Sequence, residues 1–220
     1  TAQDVVEAVD DEMGEDYAKL AGLTAEEDLQ ETTKQSIKKR LPWLVVLLVL
    51  GMGVSAVVGA FENVVAILPI VICFQSLILD MAGNVGTQSL AVTIRVLMDE
   101  ELAPKDKLKL VLKEAKVGFS NGFLLGILAI VFLGLYIFLY KGYDIRHAFL
   151  ISLCVGVSLL LAMIVSSLVG TLVPLFFKKI KVDPAVASGP LITTVNDLVA
   201  VVIYYGLSWV FLIQTMHILG

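Results

Sequence analysis

Long apolar runs separated by short polar clusters set the pattern of this chain. Five stretches are long and apolar enough to cross a ~30 Å hydrocarbon core as helices: Pro42 to Phe61, Val64 to about Met98, Lys116 to Tyr140, His147 to Phe177, and Pro184 to about Gln214. Ahead of them the pattern changes. Val5, Val6, Val9, Met13, Tyr17 and Leu20 recur at spacings of three and four among acidic residues, the period of an amphipathic helix with one apolar stripe, and Gly22 is placed to end it. The pattern predicts an all-α integral membrane protein, with an amphipathic helix and linker over 1–40 and a five-helix transmembrane domain over 41–220. An odd number of spans puts the two termini on opposite sides.

Inside the spans, small residues repeat every four positions, as Gly51, Ser55 and Gly59 in the first and Gly118, Gly122 and Gly126 in the third. Such spacing lets helix backbones approach closely in lipid. Glu62 and Asn63 leave room only for a tight turn between antiparallel neighbours. The second stretch is longer than one perpendicular crossing, and Pro69 or the pair Gly83 and Gly86 are the places where its backbone could bend or free carbonyl groups. Between the second and third spans, leucines alternate with lysines from Asp99 to Val117, which predicts a surface helix at the membrane interface.

Composition sharpens the class. Hydrophobic residues are 58% of the chain, too many for the polar surface of a water-soluble fold. Fourteen basic residues fall before the first span, between the second and third, or after the fourth, against two, Lys141 and Arg146, on the other side. By the positive-inside rule the N-terminus is cytoplasmic and Gly220 external. Eleven of the twenty-one acids precede Lys34, and they read either as the solvated face of a linker helix or as a cytoplasmic divalent-cation site. The chain opens on Thr1 within this helical pattern, so a preceding cytoplasmic region is expected. Cys73 and Cys154 lie within apolar spans and read as packing residues; His147 and His217 sit near span ends and read as interfacial.

Candidate chemistry lies in two polar stripes. On the second span Asp80, Asn84, Thr87, Gln88, Ala91 and Arg95 share one helical face; on the fifth, Gly189, Thr193, Asp197, Ala200 and Tyr204 do, with Thr194 and Asn196 alongside. Asp197 is the single charge between Ala185 and Leu212. A charge at mid-helix in a membrane costs about 3 kcal/mol on insertion scales, which makes a functional reading the default. If one helix starts at Ala185, Asp197 lies about 18 Å along it, near the middle of the slab. Asp80 reads equally well as functional or as a structural partner of Arg95. Carboxylate, amide, hydroxyl and carbonyl groups are all oxygen donors, which suits hard cations. Magnesium keeps several waters while touching one or two carboxylates, so one aspartate per chain, doubled across a two-fold axis, suffices for a hydrated ion.

The segments Gly83-Asn84-Val85-Gly86-Thr87-Gln88 and Asp183-Pro184-Ala185, followed by Gly189-Pro190, Thr193, Thr194, Asn196 and Asp197, resemble the two signature stretches of the MgtE-type magnesium transporters. The resemblance covers essentially the whole chain. It implies a homodimeric, multi-pass magnesium channel of the plasma membrane, not an enzyme and not a nucleic-acid binder, with Mg2+ as the bound and transported ion and Mn2+ or Co2+ as substitutes. It implies that Asp197 binds the hydrated ion on the two-fold axis and that Asp183 is a second metal contact near the inner mouth. Gly83, Asn84, Thr87, Gly189, Thr193 and Asn196 would line the path. The acidic helix would correspond to a plug helix whose acids Asp4, Glu7, Glu12, Glu15 and Asp16 bind regulatory metal, joined to magnesium-sensing cytoplasmic domains that this chain lacks. Family members with asparagine where Gly189 stands have one more side-chain oxygen there. The alternatives are an ion-coupled divalent-cation carrier, an intramembrane aspartyl protease using Asp80 and Asp197, and a purely structural subunit; neither aspartate has the flanking sequence expected of the protease.

Overall fold

A computed structural model describes residues 2–23, 31–99 and 102–215. All regular structure among the described residues is helical. The helices are α1 (Ala2–Leu20), α2 (Thr33–Ala60), α3 (Glu62–Ile67), α4 (Ile72–Asp99), α5 (Pro104–Tyr140), α6 (Ile145–Lys179) and α7 (Gly189–Leu207), and α7 continues as π-helix over Ser208–Thr215. Among the described residues five segments are long and apolar enough to cross a membrane: Thr33–Ala60, Pro69–Leu97, Pro104–Tyr140, Ile145–Lys179 and Gly189–Ile213.

Several boundaries differ from the sequence expectation, each for a local reason. Helix α2 begins at Thr33 and runs through Pro42, because Thr32 and Gln35 form a capping box that starts it early. The second stretch breaks ahead of Pro69, where the short α3 ends and a 3₁₀ turn over Pro69–Val71 leads into α4. It does not break at Gly83 or Gly86; α4 is continuous there, so no carbonyl is freed. The basic segment after Asp99 is not a separate surface helix. Pro104 takes the first-turn position, where a missing N–H is harmless, and nothing interrupts the helix from there to Tyr140.

The core is built on α6, which packs along α5 and against α4 and α7. Gly118 and Gly126 of α5 meet α6 so closely that an added Cβ would come within about 3 Å of Ser167 Cβ and of the Gly156 carbonyl oxygen, respectively. The stripe predicted in the first span behaves otherwise. Gly51 and Gly59 have nothing within 4 Å of an added Cβ, and no residue of α2 is buried. Among the long helices α2 packs mainly on α7.

Several polar groups inside the bundle are paired with one another. Ser89 of α4 hydrogen-bonds the buried Glu114 carboxylate of α5 at 2.9 Å, and Ser167 of α6 donates to the Glu114 carbonyl at 2.7 Å, joining three helices at one point. Tyr204 and Tyr205 of α7 donate to the Val71 carbonyl and to Gln75 Oε1, tying α7 to the start of α4. His147 pairs with the Asp144 carboxylate, which also caps α6 by accepting from the Arg146 amide. That contact holds the Asp144 carboxyl below the usual carboxylate range. Cys154 is buried and Cys73 exposed, both as free thiols; His217 lies outside the described residues.

Candidate functional site: a groove between two spanning helices

Helices α4 and α7 pack side by side and leave an open groove of about 550 Å³. From α4 it is lined by Ile72, Gln75, Ser76, Leu79, Asp80, Gly83 and Asn84; from α7 by Thr193 and Asp197. Part of each polar stripe thus faces this groove, and the glycine of one helix explains how. An added Cβ at Gly83 would stand 3.0 Å from Thr193 Cγ2, so the missing side chain lets α7 approach α4 at the level of the polar residues.

Asp197 is half-buried on this wall, eight residues into α7. Chain geometry places it about 12 Å from the helix start, closer than an unbroken helix from Ala185 would have it. The difference arises at Ser188, whose side chain caps α7 by accepting from the Leu191 amide and separates it from the 3₁₀ turn over Pro184–Val186. Asp80, facing the same groove, has no ion-pair partner among the described residues; it lies fifteen residues from Arg95 on one helix, about 22 Å away and out of reach. Gln75 and Ser76 were missed from sequence, although Ser76, Asp80, Gly83 and Thr87 continue one spacing of three and four.

The remaining expected site residues fall elsewhere. Asn196 is fully buried against α4, where an added Cβ at Gly86 would collide with its side-chain amide, and neither of its polar atoms has a hydrogen-bond partner. Thr87 donates to the Asn84 carbonyl at 2.9 Å and does not line the groove. Ala200 and Tyr204 belong to the buried core, because α7 turns that part of its stripe inward against α4 and α6.

One end of the groove region is covered by α1. Gly189, at the start of α7, has the Leu20 carbonyl and Thr87 Cγ2 as its nearest neighbours, at 3.6 and 3.8 Å from an added Cβ. Gly22, with a positive φ of 80° that glycine adopts freely, packs its backbone on the Trp43 ring. Lys19 Nζ reaches Asp183 Oδ2 at 2.8 Å, while Asp183 Oδ1 accepts from the Ala185 amide. Partial burial pushes the Asp183 carboxyl up, but the Lys19 ammonium and the Ala185 N–H outweigh it and hold the group below the ordinary range. Both Asp183 oxygens are thus engaged, and a metal ion there would compete with Lys19. Replacing Lys19 by glutamate should set two like charges against each other and release the end of α1. In a Trp209→Phe background, Trp43 fluorescence should then shift toward that of a solvent-exposed indole, whereas Lys19→Arg should leave it unchanged.

Of the α1 acids, Glu15 is exposed and pairs with Lys19 at 3.6 Å; the side chains of Asp4, Glu7, Glu12 and Asp16 lie outside those described. Val5, Val9, Met13 and Tyr17 of the apolar stripe are exposed, and Leu20 packs beside Leu90, Ile94 and Ile192. Among the described residues no three His, Cys, Asp or Glu side chains are grouped to hold a metal ion.

Residues 75–207, which hold most of the groove wall, match the family model of the MgtE divalent cation transporters. The chain belongs to the MgtE family. It is 36% identical over 96% of its length to the magnesium transporter MgtE of Enterococcus faecalis, and 35% identical over 96% to that of Bacillus subtilis. Against the magnesium transporter MgtE of Thermus thermophilus the identity is 31% over 94% of the chain. The chain spans about 45% of the length of these curated relatives. MgtE proteins are multi-pass membrane transporters, not enzymes, so the presence of Asp80 and Asp197 in one groove does not make a protease of this chain.

Proposed function

We propose that the chain is the membrane domain of a magnesium channel in the plasma membrane, with its N-terminus in the cytoplasm. Hydrated Mg2+ passes along the α4–α7 groove, closed by the same groove of a second copy across a two-fold axis. The observation that carries this reading is the position of Asp197: a carboxylate within a spanning helix that faces an open groove, with Asp80, Asn84 and Thr193 on the same walls. A dehydrated magnesium ion needs close to six oxygens in near-octahedral order. The groove offers two carboxylates per chain, Asp80 and Asp197, and a hydrated ion needs only hydrogen-bond acceptors for its waters, which these carboxylate, amide and hydroxyl oxygens supply.

Asp197 sets the charge of the path, Asn84 and Thr193 orient the water shell, and Asp80 adds anionic field from the facing helix. Gly189 would contribute space or its carbonyl beneath α1. Asp183, released from Lys19, would become a second contact at the mouth, and α1 would be the element through which cytoplasmic magnesium-sensing domains act on the pore. Mn2+ and Co2+, of similar size and ligand preference, would substitute.

Proteoliposomes carrying the protein and a Mg2+-sensitive dye test this. Influx should run down the magnesium gradient without an imposed proton or sodium gradient, and hexaamminecobalt(III), an inert analogue of the hexahydrated ion, should block it. Flux that requires a proton or sodium gradient would replace the channel with a coupled carrier. Passive flux insensitive to the analogue would remove the hydrated-ion reading.

A further inference from the structure

Helix α5 is too long for the membrane it crosses. Its uncharged run, Val117 to Tyr140, is 24 residues and about 36 Å, enough to fill the hydrocarbon core. Pro104 to Lys116 therefore rises about 20 Å beyond that core. On this projecting part Lys105, Lys109, Lys113 and Lys116, spaced by four, four and three, form one stripe, and all four line a single shallow groove of about 670 Å³. None of the four has an ion-pair partner among the described residues. The opposite side of the helix is sealed, with Leu110, Glu114 and Gly118 buried in the bundle, so the stripe faces away from the protein.

The groove is also apolar along its length. Leu108 and Leu112 are 60% and 53% exposed beside the lysines, and the lining continues through Val117 to Ser120 and Asn121 at the top of the uncharged run. Below them the same helix exposes Phe123 and Leu124. From the bilayer outward the order is hydrocarbon, then hydroxyl and amide, then unpaired ammonium groups. An anionic phospholipid has the matching order in the same direction: acyl chains, ester oxygens, then a phosphate. The headgroup layer adds roughly 5 to 8 Å on each side of the core, which brings Lys113 and Lys116 to phosphate level, while the flexible Lys109 stem, about 12 Å out, can bend down toward it. We propose that the outward face of α5 from Lys109 to Asn121 is a binding site for an anionic phospholipid, held by its phosphate on the lysine stripe and by its chains on the aromatic and leucine side chains below.

An acidic protein segment would satisfy the ammonium groups equally well, but it leaves the contiguous apolar track without a partner. The two outcomes separate experimentally. The intact protein, reconstituted in nanodiscs of phosphatidylcholine containing one-fifth phosphatidylglycerol and then released into mild detergent, is weighed by native mass spectrometry. It should retain phosphatidylglycerol in preference to phosphatidylcholine, and less of it at high salt. Each lysine near an anionic surface contributes on the order of fivefold in affinity. The triple variant Lys109→Gln, Lys113→Gln, Lys116→Gln should therefore lose phosphatidylglycerol by at least about tenfold, with its helical circular dichroism and melting temperature preserved. Lys179→Gln with Lys181→Gln, a control at the same end of the bundle, should retain it. Equal retention by the triple variant and the wild type overturns the proposal, as does an equal loss in the control. Cross-linking of Ser120→Cys to a protein in place of lipid overturns it as well.

Discussion

Replacing Asp197 by alanine should lower magnesium influx into proteoliposomes by at least about tenfold, the lower end of what a focused charge contributes to ion capture in a low-dielectric cleft. The same substitution should leave the melting temperature of the metal-free protein unchanged or raised, because a charge placed within a spanning helix opposes folding into the membrane. This opposed pair of effects distinguishes a transport residue from a structural one. Magnesium protection against thermal unfolding should fall along with the flux, since a ligand stabilises the state that binds it. Asp80→Ala should have a smaller effect in the same direction, its carboxylate being the more exposed of the two. Unchanged influx in Asp197→Ala would remove the proposed path. A loss of folding in place of transport would move Asp197 to a structural role.

Gly170→Ala should be strongly destabilising, because it would make the closest clash with backbone among the described glycines. The added carbon would collide with the carbonyl oxygen of Gly86, a backbone atom that cannot rotate away, and it would also lie 3.1 Å from Ser89 Cβ. Helices α4 and α6 would have to separate at the point where Gly86 already gives up its own Cβ space to Asn196. Overpacking of well-filled interiors costs about 1–3 kcal/mol, and a backbone clash belongs at or above the top of that range. Gly51→Ala is the matched comparison: it meets nothing within 4 Å and gains up to about 1 kcal/mol of helix propensity. Thermal unfolding of both variants in one detergent should show a clear drop for Gly170→Ala and no loss for Gly51→Ala. Equal melting temperatures would mean that α4 and α6 are not packed as described.

The number of spans and the two polar helix faces were legible because both follow from run length and periodicity. A run of apolar residues long enough to cross a bilayer has few alternatives, and residues three or four apart on a helix must share a face. What escaped was decided by contacts between distant parts of the chain. Asn196 sits beside Asp197 in sequence, yet adjacent residues on a helix point about 100° apart, and Gly86 supplies a pocket that takes its amide out of the groove. Tyr204 fits the stripe by spacing, but its hydroxyl is claimed by the Val71 carbonyl. The glycines at Gly83 and Gly86 read equally as flexible points or as places of close approach, and only the position of α7 decides for the second. The pairing of Lys19 with Asp183, 164 residues apart, had no signal in the pattern at all.

Because α2 buries none of its 28 residues, its sequence is constrained by oiliness and length rather than by shape. A spin label or fluorophore attached at Gly53, where the surroundings are empty to 4 Å, would report on its surroundings without disturbing the bundle that holds the α4–α7 groove.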